Sequence, residues 1–195
     1  MSEQVSRIVR IIARLPGALL ARTGISPNAV TLSGVAANVA VGAAIAAGRL
    51  DAAATGLLIL AAGFFDALDG AVAKQTGRSS EFGAFLDSVT DRISDSVVLL
   101  GLLIVHLDRG ARPEVVAIAA ALTSFPLVSY ARAKAEALGV ECKDGAITRP
   151  VRVILLGASC WWGGFLPIVA GLAAGSFVTA IHRILIVRRA LEAAE

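Results

Sequence analysis

Residues 153–182 run for thirty positions without an Asp, Glu, Lys or Arg. In water such a run must be covered on every side, and a chain of 195 residues has little core to cover it with. A bilayer accepts it directly, because about twenty apolar residues in a helix cross the ~30 Å hydrocarbon. One unbroken helix of that length would reach about 45 Å at 1.5 Å per residue. Gly163-Gly164-Phe165-Leu166-Pro167 near the middle therefore predicts a break between two helices. Trp161 and Trp162 beside the break would mark the outer interface.

A second uncharged run, 29–48, follows Ser26-Pro27-Asn28, where Pro27 opens a helix and Asn28 is read as its cap. Asn38 is polar within that run and is read as helix–helix glue ahead of ligand contact. Further helices are expected over 52–74, 81–107 and 113–138. Composition agrees: 56% hydrophobic, 17% charged and a mean hydropathy of +0.77 describe a membrane protein. At the N-terminus Val5, Ile8, Val9 and Ile12 share one face and Arg7, Arg10 and Arg14 the other, the pattern of a helix lying in the interface against anionic lipid until Pro16-Gly17 ends it. The expectation is an all-α integral membrane protein forming a single domain over 1–195. It has an interfacial helix and linker at 1–24 and a bundle of six transmembrane helices over 25–195.

With six spans, fourteen of the eighteen Lys and Arg fall on one side and three in outer loops. The positive-inside rule puts that side in the cytoplasm, with the chain in the plasma membrane. Net charge is only +3, so no nucleic-acid partner is expected. Cys142 and Cys160 read as free thiols, and His106 and His182 as packing or interfacial residues.

Acidic residues interrupt the apolar pattern where it carries chemistry. Asp66 and Asp69 are three apart near the end of the second expected helix, and Asp87 and Asp91 four apart near the start of the third. Each pair shares a helix face. One charge at the centre of a membrane helix costs about 2.5–3.5 kcal/mol on insertion scales, so four cost roughly 10 kcal/mol before repulsion. Lys74, Arg78 and Arg92 are too few to offset them. Oxygen-only donors point to a hard divalent ion, Mg²⁺ with Mn²⁺ as the alternative. Two facing pairs could hold two ions about 3.5–4 Å apart, as in phosphoryl-transfer centres. Internal salt bridges or a proton path are the other readings. Gly70 and Gly83 would let a ligand's phosphates approach the backbone, and Lys74 one turn on would meet a diphosphate. Arg132, Lys134, Arg149, Arg152 and Arg183 lie on the same side and suit a phosphorylated acceptor. Asp95 and Arg92 are read as supporting residues behind the carboxylates.

In these residues the chain resembles the CDP-alcohol phosphotransferases, whose signature runs D-x2-D-G-x2-A-R, eight residues, then G-x3-D-x3-D. Asp66, Asp69, Gly70, Ala73, Gly83, Asp87 and Asp91 match it at every spacing. Lys74 stands where the family has Arg, which keeps the charge without the bidentate fork. The resemblance implies attack of an alcohol hydroxyl on the β-phosphorus of CDP-diacylglycerol, with release of CMP. It implies two Mg²⁺ held by Asp66, Asp69, Asp87 and Asp91, and Asp91 as the catalytic base. It also implies a nucleotide site of Asp66, Asp69, Gly70, Ala73, Lys74, Gly83 and Asn28, and a homodimer. Asp91-Arg92-Ile93-Ser94-Asp95, Ser129-Tyr130 and Arg149-Pro150-Val151-Arg152 are similar to the phosphatidylinositol-phosphate synthase type. That implies a phosphorylated acceptor such as inositol 1-phosphate. A sister enzyme using glycerol phosphate or another head group, a membrane prenyltransferase, and a non-enzymatic ion or proton transporter are the competing readings.

Overall fold

The structure, a computed structural model, describes residues 2–142 and 147–193. Eight helices follow one another there: α1 (Ser2–Ile12), α2 (Arg14–Arg22), α3 (Pro27–Ala46), α4 (Ala52–Thr76), α5 (Glu81–Asp108), α6 (Arg112–Ala137), α7 (Arg149–Ser159) and α8 (Phe165–Glu192). Among the described residues there is no strand.

Local chemistry sets the boundaries. Ser26 rather than Asn28 caps α3: its hydroxyl accepts from the Ala29 N–H at 3.2 Å, and Asn28 lies inside the first turn. Asp51 caps α4 by accepting from the Ala54 N–H at 2.7 Å, and Ser80 caps α5 by accepting from the Gly83 N–H at 3.0 Å. Gly77, at φ +64°, ends α4 in the left-handed conformation that glycine adopts without a Cβ clash. The expected break at Pro16-Gly17 is displaced to Ala13. Pro16 falls in the first turn of α2, where its missing N–H leaves no helical bond unmade. Gly17 is buried because α2 crosses α4 there; a Cβ on it would stand 2.5 Å from that of Ala71. The expected linker up to residue 24 is thus largely helical. On α1, Ile8, Ile11 and Ile12 are exposed along with Arg7, while the side chain of Arg10 lies outside the described residues.

Four helices, α3, α4, α6 and α8, are long and apolar enough to cross a membrane. The chain is a multi-pass membrane protein. α5 has 28 residues, but the part from Glu81 to Asp95 carries Glu81, Asp87, Asp91, Arg92 and Asp95. α7 has 11 residues; at 1.5 Å per residue it is about 16 Å long, roughly half the hydrocarbon thickness. The break predicted near 163–167 is present, with Gly163 at φ +64° and α8 beginning at Phe165.

The long helices close into a ring in the order α4, α3, α5, α6, α8, α7 and back to α4. α4 and α5 are not the packed hairpin their adjacency in sequence predicts, because α3 lies between them. The α3–α5 crossing is close: a Cβ on Gly42 would stand 2.5 Å from the Val97 carbonyl oxygen, and one on Gly101 would clash with the Gly42 backbone. Ile45, Ile59, Leu99, Leu102, Ile118, Phe125, Leu156 and Leu172 fill the centre. Trp161 Nε1 donates to the Ala53 carbonyl at 3.1 Å, and His106 stacks on Phe165 at 4.6 Å. Those contacts close the end of the bundle remote from the carboxylates. At the other end α4 and α5 stand apart and leave a cavity.

Candidate active site

The first acid pair is set by α3. Asn38 Nδ2 donates to both carboxylate oxygens of Asp66, at 3.0 and 3.2 Å, and to the Gly34 carbonyl at 3.0 Å. Gly34 lets the carboxylate lie against the helix, since a Cβ there would stand 2.5 Å from Asp66 Oδ1. One turn earlier Thr31 Oγ1 donates to Asp69 Oδ2 at 2.7 Å, and the Gly70 N–H donates to Asp69 Oδ1 at 2.5 Å. Thr31, Gly34 and Asn38 are three and four apart, so one face of α3 holds both acids of α4. Sequence reasoning missed Thr31 and Gly34, while Asn38, read as helix–helix glue, does bridge α3 to α4 through Asp66. The available signal was a stripe of small and polar residues on an otherwise apolar helix.

One acid of each pair, Asp66 and Asp91, meets a single guanidinium at the start of α7, which also holds Asp95. Arg149 Nη2 lies 2.6 Å from Asp66 Oδ2, Nη1 2.7 Å from Asp91 Oδ1, and Nε 3.0 Å from Asp95 Oδ1. Arg152, one turn on, places Nη2 3.4 Å from Asp95 Oδ2 and its guanidinium 4.4 Å above the Phe125 ring. Its Nε is buried without a hydrogen-bond partner. Asp95, expected only to support the site, is the residue that ties both arginines to α5.

Three cavities open around this cluster. The largest, about 850 Å³, is lined by Asp66, Asp69, Gly70, Asp87, Asp91 and Arg149, with Ser6 and Arg7 of α1 along one side. A neighbouring one of about 170 Å³ is lined by Asn28, Thr31, Asp69, Gly70, Ala73, Lys74, Gly83 and Asp87. The predicted nucleotide set is thus gathered in one place, with Asp66 facing the larger space. Gly70 has nothing within 4 Å of where a Cβ would stand, so its backbone is open to a ligand. A third cavity, about 130 Å³, lies on the far side of Arg149 between α5, α6 and α7. Ser88, Asp91, Asp95, Ser96, Ser129, Arg149 and Arg152 line it above Leu99, Leu122 and Phe125. Among the described residues, only Asp91 and Arg149 border both the largest cavity and this third one.

Of the five basic residues expected to hold an acceptor phosphate, Arg149 and Arg152 line the third cavity. Arg183 is buried and donates from Nη1 to the Val128 carbonyl at 2.5 Å. Arg132 pairs with Glu136 at 2.8 Å on the exposed end of α6, and Lys134 Nζ sits 6.0 Å from the Tyr130 ring centroid. The structure does not bring these three to the cavity wall. Arg92 does line it, and donates to the Ser88 carbonyl of its own helix.

Among the described residues, no three acidic, His or Cys side chains close on one point as a metal site would. Asp66 and Asp91 turn instead to Arg149. The donor set nonetheless fits a hard divalent cation. Four carboxylates border one cavity, and Asp69 and Asp87 have no ion pair among the described residues.

Residues 24–187 match the model of the family described as CDP-alcohol phosphatidyltransferase. The archaetidylinositol phosphate synthase of Methanothermobacter thermautotrophicus is 34% identical over 188 residues, 93% of each chain. The phosphatidylinositol phosphate synthase of Mycobacterium bovis is 36% identical over 170 residues, covering 85% of this chain and 77% of that one. The crystal structure of the Mycobacterium tuberculosis phosphatidylinositol phosphate synthase with CDP-DAG bound superposes with a TM-score of 0.78 at 34% identity, covering 93% of this chain and 94% of that one. A second crystal structure of that enzyme, in complex with manganese and citrate, gives a TM-score of 0.78 at 33% identity, covering 90% and 88%. With its signature residues around two adjoining cavities and most of its length matched, the chain belongs to the CDP-alcohol phosphatidyltransferase family and is a transferase of phospholipid biosynthesis.

Proposed function

We propose that the protein transfers the phosphatidyl group of CDP-diacylglycerol to a hydroxyl of a phosphorylated polyol, inositol 1-phosphate first among candidates, and releases CMP. The observation that carries this reading is the meeting of two unlike cavities at Asp91: a large carboxylate-lined one and a small one lined by three arginines, Arg92, Arg149 and Arg152. A neutral alcohol would not need Arg149 and Arg152, whereas a phosphate dianion would. Ser88, Ser96 and Ser129 in the small cavity give hydroxyl partners that suit a polyol. Support also comes from relatives named for inositol phosphate lipids and from the neighbour bound to CDP-DAG.

Each side chain has a place in that reaction. Asn28, Gly70, Ala73, Lys74 and Gly83 form the cytidine diphosphate side, with Lys74 as a single point charge on the phosphates. Asp66, Asp69, Asp87 and Asp91 would hold two divalent cations, Mg²⁺ or Mn²⁺; a neighbouring enzyme's complex with manganese supports the choice of ion. When bound, such ions neutralise the diphosphate and stabilise the leaving CMP. Asp91, bordering both cavities, accepts the proton of the attacking hydroxyl. Asn38 and Thr31 hold Asp66 and Asp69 in register for this work. The diacylglycerol tails leave through the apolar wall of the large cavity at Val9, Leu60, Phe64 and Ile154.

The same reading places the chain in the plasma membrane as a homodimer of six-helix subunits. α1 lies in the cytoplasmic interface and the cavities open to the cytoplasm. The test is CMP release from CDP-diacylglycerol with inositol 1-phosphate, glycerol 3-phosphate, inositol and serine as acceptors. Turnover is expected with inositol 1-phosphate and little with unphosphorylated inositol. A preference for glycerol 3-phosphate would move the assignment to the sister activity, and a preference for serine would remove the phosphate reading of Arg149 and Arg152.

A further inference from the structure

Arg149 is bonded to carboxylates that the proposed reaction needs for something else. Its guanidinium holds Asp66 Oδ2 at 2.6 Å and Asp91 Oδ1 at 2.7 Å, both assigned above to divalent cations. A carboxylate oxygen engaged in so short a charge-assisted bond has reduced capacity for a cation, and a guanidinium left in place would repel one. The third bond, to Asp95 at 3.0 Å, involves an acid outside the signature that lines the small cavity and not the large one. Arg149 thus has two partners it can surrender and one it can keep. The one it keeps is on the acceptor side.

Resting on the reading of the two cavities as donor and acceptor sides, we propose that Arg149 is an exchangeable counterion that makes acceptor binding contingent on the cation. Arg149 yields Asp66 and Asp91 when a divalent cation takes them. It retains Asp95, and turns its freed N–H groups into the small cavity. There it joins Arg152, whose buried Nε has no partner of its own. Two guanidiniums facing Asp95 leave positive charge for a phosphate dianion. While Arg149 stays on Asp66 and Asp91, its donors are occupied and the acceptor is held weakly. Linkage makes the effect reciprocal: the acceptor phosphate, by holding Arg149 away, tightens the cation.

The test is Mn²⁺ binding to the purified full-length protein, by calorimetry, in wild type, R149Q, R149K and R152Q. Removing the resident competitor should tighten Mn²⁺ about tenfold or more in R149Q. R149K should move the same way, because an ammonium cannot reproduce the fork across Asp66 and Asp91. R152Q removes an equal charge one helical turn away without touching either acid, and should change Mn²⁺ affinity by less than about threefold. Equal tightening in R149Q and R152Q would reduce the effect to general charge and overturn the proposal, as would unchanged or weaker Mn²⁺ binding in R149Q. In a second arm, wild type should bind inositol 1-phosphate more tightly with Mn²⁺ present, and R149Q should lose that dependence. Dependence that persists in R149Q would mean that the cation attracts the phosphate directly, against the proposal. Absence of inositol 1-phosphate binding under every condition would instead sink the acceptor assignment, and the Mn²⁺ series would still decide the exchange.

Discussion

Asp91 borders both cavities and is bonded to Arg149 at 2.7 Å, which makes it the meeting point of donor and acceptor in the proposed reaction. Asp91→Asn keeps the shape and removes the base. CMP release should fall by about 10²–10⁴-fold while the thermal transition holds; undiminished turnover would take Asp91 out of that role. Gly34 offers a second test at this scale. Gly34→Ala pushes a methyl into Asp66 and should lower activity by about 10–100-fold, the usual cost of disturbing the support behind a ligand. Retained activity would show that Asp66 can shift without loss. The signature acids, Gly70 and Lys74 were legible because their chemistry lies in residue type and spacing. Thr31 and Gly34 were not, and Asn38 was read as helix–helix glue without its partner, since a sequence shows which face of α3 they share but not which helix that face meets. The sequence also could not show that Arg149 binds three acids from two helices, 54 to 83 residues away along the chain for the two hydrogen-bonded ones at the ends of that range.

At the scale of elements, α3 is the helix against which the site is built. It packs on both α4 and α5 and keeps them from closing on each other. Small residues make that possible, because the Gly42–Gly101 crossing brings backbone against backbone. Gly101→Leu should destabilise the protein by about 1–3 kcal/mol or more through overpacking. A thermal melt that does not move would contradict the close crossing. Uncharged length announced α3, α4, α6 and α8, and glycine with proline announced the gap before α8. The separation of α4 and α5 was hidden, since adjacency in sequence favours a hairpin and only the presence of α3 excludes one. Pro16 misled for a related reason: whether proline ends a helix or begins one depends on its position within the first turn.

For the whole molecule, alternating helix directions carry α3, α5 and α7 away from the carboxylates and α4, α6 and α8 back toward them, so α1 and the last turns of α8 both lie at the site end. With the proposed opening of the cavities to the cytoplasm, reporter fusions at residue 1 and residue 195 should both report the cytoplasmic side. Opposite sides would break the topology and the outward path of α7 with it. In the proposed reaction, cation-bound carboxylates activate a CDP-linked lipid for attack by a phosphorylated polyol. Its most direct test is CMP release by the purified protein from CDP-diacylglycerol and inositol 1-phosphate, with and without chelator. Release should need the acceptor, stop when divalent ions are removed and return with Mg²⁺ or Mn²⁺; undiminished release in excess chelator would contradict a cation-dependent transfer.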